Sequence, residues 1–359
     1  MSEPPGNLLS ADSEFEAVEQ LHALGCTDGL PVIVPTPERV EAMVLATGLE
    51  GDLALGEMGP ARAVASVRKV AIAAVMAGCL PDHMPVVLAA VQAVLQPEFD
   101  LGEMQGTTHC TAPLIIVNGP AREACGGVAS GFGALGPGHR ANAAIGRALR
   151  LAMINIGGAR PGSSDMALHG HPGKFTYCVA EDEEQSTLPP WHTSLGYDDG
   201  QSAVTVIGAE APHSVWFVTN ADDPNSPERL LRTLAECIAN PGSNNVHLGG
   251  VGAVTVVLNH EHAAVLTDAG MSREDIQAKL SEYATYPYGR LKAMDPGLKA
   301  PPGEPVKAVR DPAKIVVLVA GGAGLYSMVM PSWCAGPHKN AYVHSEIAID
   351  QFCEIPGAA

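Results

Sequence analysis

Aromatic residues are scarce in this 359-residue chain, at 4%, and charged residues make up only 17%. The charge it has leans one way. There are 21 Lys and Arg against 39 Asp and Glu, a formal net charge of −18. Such a surface repels phosphate backbones and anionic lipid, which argues against nucleic acid and membrane surfaces as partners and for a small molecule. No apolar run is long enough to span a bilayer. The longest, Val70 to Leu80 and Pro85 to Leu95, are separated by Pro81-Asp82-His83-Met84. The opening MSEPPGNLLSADSEFE has no basic segment leading into an apolar one, so no secretory signal is readable and a cytoplasmic protein is expected. Eight cysteines (Cys26, Cys79, Cys110, Cys125, Cys178, Cys237, Cys334, Cys353) include no CxxC pair. Neither a zinc ribbon nor a disulfide framework is signalled, and most are expected to be reduced core residues.

Hydrophobic residues, at 46%, suffice for a large core, and 39 glycines with 29 prolines imply many tight turns and backbone-lined loops. The length fits one large domain or two fused ones, with a boundary placed near residue 200 that divides 1–200 from 201–359. Ser10 to Leu24 has helical apolar spacing, and Leu30 to Val34 reads as a strand feeding a helix that starts at Thr36-Pro37. The Ala-rich stretch Ala61 to Gln96 reads as a buried helical hairpin. From residue 113 the texture changes to apolar strands at Leu114 to Val117, Ala203 to Ile207, Ala253 to Leu258 and Ile315 to Ala320, with helices at Arg140 to Ile156, Ser226 to Ala239 and Ser272 to Glu282. Runs such as Ile315-Val316-Val317-Leu318-Val319 lack period-2 alternation, as strands covered on both faces do. The fold class is therefore α/β, a mixed or parallel sheet flanked by helices.

Several segments could carry chemistry. Gly131-Phe132-Gly133-Ala134-Leu135-Gly136 matches GxGxxG without the preceding strand or following acid of a dinucleotide site. What remains is an anion-binding loop, Gly136 to Gly138, at a helix start. Arg140, Arg147 and Arg150 share a face of that helix and could line one cleft. The alternative is a solvated face paired with carboxylates. Gly321 and Gly322 follow a strand, where a backbone-lined ligand loop is expected. His109, in Thr107-Thr108-His109-Cys110-Thr111, is a candidate catalytic residue.

The densest constellation is His169-Gly170-His171-Pro172-Gly173-Lys174, followed by Tyr177 and the acidic run Glu181 to Glu184. His169 and His171, on an extended segment, would face one way and could ligate a divalent transition metal. Without a metal, Lys174 and Tyr177 would be proton donors and Glu181 a base. Period 2 puts Tyr177 and Lys174 on opposite faces of a regular strand, so the strand is expected to begin after Lys174, delayed by Pro172-Gly173. His260 and His262 begin a helix and are expected to cap it or sit in the core, and Cys334 could be a nucleophile if His338 meets it.

The segments TAPLIIVNGP, GALGPGHRANAAIGRALRL and HPGKFTYCVAEDEE, with CTDGLPVIVPTPERV near the start and VAGGAGLYSMVMPSW near the end, resemble uncharacterised bacterial proteins associated with the UGSC motif. The resemblance spans most of the chain and implies an enzyme with thiol or selenol redox chemistry. This chain has no Cys-Gly-Ser-Cys, so the thiols would come from a companion subunit.

The expectation from the residues is a homo-oligomeric enzyme, lyase or hydrolase, that cleaves a bond in a small anionic substrate by acid-base or metal-assisted chemistry. The alternatives are the large subunit of a thiol- or selenol-dependent reductase and a small-ligand binding protein.

Overall fold

A computed structural model of the protein describes residues 9–348. Cys353 lies outside them. The helices that frame the fold are α1 (Glu14–Ala23), α2 (Pro37–Ala46), α3 (Val67–Ala77), α4 (Met84–Val94), α5 (Arg140–Asn155), α6 (Ser226–Ile238), α7 (His260–Asp268) and α8 (Arg273–Tyr283). Their starts follow from local chemistry. Ser13, Thr36, Ser66, Asn259 and Ser272 each accept a backbone N–H of the first turn through the side chain, and Pro37 sits where its missing N–H costs nothing.

Two four-stranded sheets form the centre. The first has the order β8-β3-β1-β2, where β1 is Ala112–Asn118, β2 Cys178–Ala180, β3 Ala203–Ala209 and β8 Val343–Glu346. The second has the order β6-β5-β7-β4, where β4 is His213–Trp216, β5 Val254–Leu258, β6 Ile315–Val319 and β7 Tyr326–Met330. Each sheet is mixed: β1 with β2 and β5 with β6 are parallel, and the other pairings antiparallel.

Alternation along the strands assigns the layers. In β1, Ile115 and Val117 pack with α3, α4 and α5, while Leu114 and Ile116 turn inward with Val179 and Ile207. In the second sheet Val254, Val256, Ile315 and Val317 meet α6, α7 and α8, while Val257, Val316, Leu318 and Met330 join that same inner layer. The result is four layers: helices, sheet, sheet, helices. Every strand that contributes to both interfaces is apolar on both sides, which is why its sequence does not alternate. The boundary expected near residue 200 falls just before β3, and the first sheet draws two strands from each side of it.

The helical hairpin is present as α3 and α4, but Ala63–Ser66 belongs to a small β-hairpin with Ala54–Met58. Along it Val64 is exposed and Ala65 fully buried before the helix begins. Leu30 to Val34 forms no strand, and its only ladder-like contact is the bond from Ile33 N–H to the Met76 carbonyl. The short strands β4, β7 and β8 escaped the sequence reading because their exposed or polar residues lack an apolar run. Among the described residues, no helix is long and apolar enough to cross a membrane.

Candidate active-site cleft

The two ends of the sandwich differ. At one end the parallel strands finish, in Asn118, Ala180, Leu258 and Val319. At the other, β1 and β2 begin and β3 runs out into Glu210. A cleft that gathers four of the expected site residues is at this second end. Its volume is about 680 Å3, and Arg150, His169, His171 and Lys174 line it together with Arg160, Asp165 and the N-terminal segment Gly25 to Asp28.

Local turns bring these side chains together. Pro161 to Asp165 closes on itself, with the N–H groups of Ser163, Ser164 and Asp165 directed at the Arg160 carbonyl. Gly170 takes φ +73°, a left-handed conformation that bends the chain between the two histidines, so the His-Gly-His segment is not extended. Both imidazoles nonetheless reach the cleft, His169 exposed at its rim and His171 further in. Pro172–Lys174 is a 3₁₀ turn capped by His171, and β2 starts only at Cys178, as the Pro-Gly pair implied. Gly173 has no space for a Cβ, which would lie 2.6 Å from His171 Cε1 and 2.7 Å from Tyr177 Cδ1.

On the floor, Asp165 accepts hydrogen bonds from Arg150 (Nη2 to Oδ2, 2.6 Å) and from Lys174 (Nζ to Oδ1, 3.0 Å). Arg150 also donates to Gln105 Oε1 at 3.1 Å, and Lys174 to the Thr111 carbonyl at 3.4 Å. Burial alone would raise the Asp165 carboxyl, but Lys174 and Arg150 outweigh it and hold it below the usual carboxylate range. Burial draws the Lys174 ammonium below its ordinary value, and Asp165 restores only part of the loss.

The floor therefore holds two cations and one carboxylate. Three polar nitrogens beside it are buried without a partner: Gln105 Nε2, His109 Nδ1 and His171 Nε2. His171 Nδ1 accepts the Gly173 N–H at 3.1 Å, so in the neutral ring Nε2 bears the proton. Burial lowers the His171 pKa, which favours that neutral ring.

The other expected residues fall in different places. His109 donates through Nε2 to Glu210 Oε1 at 2.9 Å, close enough to His171 to act on its charge. Tyr177 packs edge-on against His171, ring centroids 5.7 Å apart, but its hydroxyl is given to the Glu210 carbonyl at 2.8 Å and burial raises its pKa. It supports the cleft rather than lining it. Arg140 and Arg147 share the helix face but not the cleft. Arg140 donates to the Gly78 carbonyl, and Arg147 grips Asp28 at 2.7 and 2.8 Å along with the Pro31 carbonyl. Asn155 and Arg160 add bonds to the Cys26 and Gly25 carbonyls, so the arginine helix positions the N-terminal wall and only Arg150 of the three faces the ligand space.

The glycine loops meet each other, not this cleft. The Gly321 N–H donates to the Ser130 carbonyl, and Phe132 lies so close over Gly322 that a Cβ there would clash. They sit with Gly136 and Gly138 at the helix start, and Arg140 is about 15 Å along α5 from Arg150. Glu181 is at this end too, fully buried. Its oxygens accept Arg273 Nη2 (3.3 Å), Asn118 Nδ2 (2.6 Å) and the Trp191 N–H (2.6 Å). Burial pushes its pKa up to about 6 against the pull of Arg273. Beside it, Asp182 accepts from His260 Nε2 at 3.0 Å, and Arg122 holds Glu183 and Glu184. His262 shares a hydrogen bond with Ser327 and is sealed in the core, as expected of a helix-start histidine.

Seven described cysteines are free. Burial raises the thiols of Cys79 and Cys125 to about 12 and Cys334 to about 11, and raises Cys178 as well, which makes them inert. Cys110 is half-buried and close enough to Lys174 to act on its charge. Among the described residues, no group of three or more His, Cys, Asp and Glu side chains is placed to hold a metal ion.

Asp165, Gln105, Arg160 and Glu210 were not foreseen. Asp165 ends a Pro-Gly-Ser-Ser turn and could have been suspected as a turn acid, but Gln105 and Glu210 carry no sequence signal. The chain matches no protein-family profile, and no curated protein sequence matches it.

Proposed function

We propose that the cleft is the active site of an enzyme that binds a small anionic substrate and breaks a bond in it by acid-base chemistry, with Lys174 as the proton donor. The observation behind this reading is the floor itself. Arg150 and Lys174 share one carboxylate, Asp165, which leaves one positive charge uncompensated in a part-buried site of a chain at −18. A positive charge without a counter-ion in reduced dielectric is a binding site for an anion. Lys174 suits proton transfer because burial lowers its pKa toward the working range, and its third N–H is not used by the protein. His171, neutral with Nε2–H, adds a donor.

Isothermal titration with acetate and inorganic phosphate tests the reading. Saturable binding should weaken at least 30-fold in Arg150→Met, about 2 kcal/mol, with the fold retained. Identical binding in the variant and the parent would overturn it.

A further inference from the structure

We infer that the substrate of this cleft is an amphiphilic monoanion, a single carboxylate head joined to an apolar chain of several carbons. This assignment rests on the reading of the floor as an anion site. On the floor one uncompensated charge matches one carboxylate head, while Arg160, in the same cleft, is held at the Gly25 carbonyl. A carboxylate offers two acceptor oxygens in a plane, which suits the Arg150 edge and the unused Lys174 N–H better than a spherical ion does.

Beyond the floor the lining changes character. Ile154, Ala159, Pro161, Pro172 and Phe175 form an apolar stretch of wall, beside the polar Thr27, Asp28, Arg160 and His169. A space of about 680 Å3 is of the size that encloses a ligand of many heavy atoms, far more than an acetate fills. At the mouth, Phe175 is 43% exposed and Leu168, between the lining residues Ala167 and His169, is 74% exposed. Large apolar side chains left in water beside a charged floor mark a surface that an apolar chain covers.

The test is a titration series with straight-chain carboxylates from acetate to octanoate, matched by alcohols of the same length. Affinity should rise about fourfold per methylene over the covered length, the buried-CH2 increment, and the acid should bind better than its alcohol throughout. Phe175→Ser should flatten the length dependence without abolishing acetate binding, and Arg150→Met should erase the preference for acid over alcohol. If acetate and octanoate bind alike, the amphiphile assignment fails and the anion site stands. If no carboxylate binds at any length, the anion site fails and this assignment with it.

Discussion

At the carboxyl ends of the parallel strands, Glu181 is fully buried and both its oxygens are taken, by Arg273, Asn118 and the Trp191 backbone. At the opposite end, Arg150 and Lys174 converge on one carboxylate, with three buried nitrogens beside them unpartnered. The orphans at the first end, the His192 ring and Asn118 Oδ1, are in residues with no exposed surface. At the second end, His171 Nε2 belongs to a residue that lines a cleft. In open α/β sheets ligands gather at the carboxyl ends of strands, but here that end is filled by an ion network that ties β1, β2, β6 and α8 together. The opening has moved to where β1 and β2 begin. Position relative to the strands is a weaker guide than whether the charges there are balanced.

The largest expected effect breaks the closed end. Arg273→Met leaves the Glu181 carboxylate buried without its cation, and losing one member of a buried pair costs about 3–5 kcal/mol. Denaturant unfolding measures this, and a loss below about 1 kcal/mol would mean that the pair does not clamp the two sheets. The double variant Glu181→Leu with Arg273→Met should recover most of the loss, because neither charge is then stranded.

The same carboxyl gives a pH signature of smaller size. Its pKa is about 6 in the folded protein against an ordinary 4.5, so the folded state holds this proton more tightly than the unfolded chain. The stability contributed is fully present below about 4.5 and is lost as pH rises through about 6, about 2 kcal/mol in all. Glu181→Gln cannot titrate and should flatten the stability profile across that window. An unchanged profile would place the proton elsewhere.

At the open end the expected change is in chemistry more than in stability. Asp165 is the group that raises the Lys174 pKa against its burial. Asp165→Asn should therefore lower that pKa further, and the alkaline limb of the activity profile should move to lower pH, because less Lys174 stays protonated to act as the donor. At pH values where Lys174 keeps its charge, the variant has two uncompensated cations and should bind acetate more tightly. A limb that moves to higher pH would assign it to another group.

Much of the frame was legible in the sequence because each layer leaves a periodic trace. β1, β5 and β6 show unbroken apolar runs, and α6 and α8 start with a proline and acid or with a capping box, while α5 is marked by its apolar spacing alone. The hairpin strand Ala63–Ser66 was hidden inside an Ala-rich stretch, where composition favours helix and only pairing with Ala54–Met58 decides otherwise. The site was half legible. Lys174, His169 and His171 lie close in sequence and close in the cleft. Arg140, Arg147 and Arg150 do share a face, but what each guanidinium reaches across that face depends on segments more than 60 residues away for Arg140 and more than 110 for Arg147. Glu181 is internal, as the crowding of the acidic run implies for one of its members, yet its strand carries it to the far end, away from Lys174.

The smallest expected effect decides between the acid-base reading and a thiol-dependent one. Cys110 is the thiol nearest in charge to Lys174, and the neighbouring core thiols are raised beyond use by burial. Under acid-base chemistry Cys110→Ser exchanges one half-buried small polar side chain for another, within about 0.5 kcal/mol in stability, and leaves turnover within about twofold. Under thiol chemistry the same change removes the nucleophile, since a serine hydroxyl is a far weaker nucleophile than a cysteine sulfur. Turnover of the variant by more than half the parent rate, together with no labelling of Cys110 by iodoacetamide that bound carboxylate can block, would leave Lys174 as the reacting group. Loss of all turnover in a folded Cys110→Ser would transfer that role to the thiol.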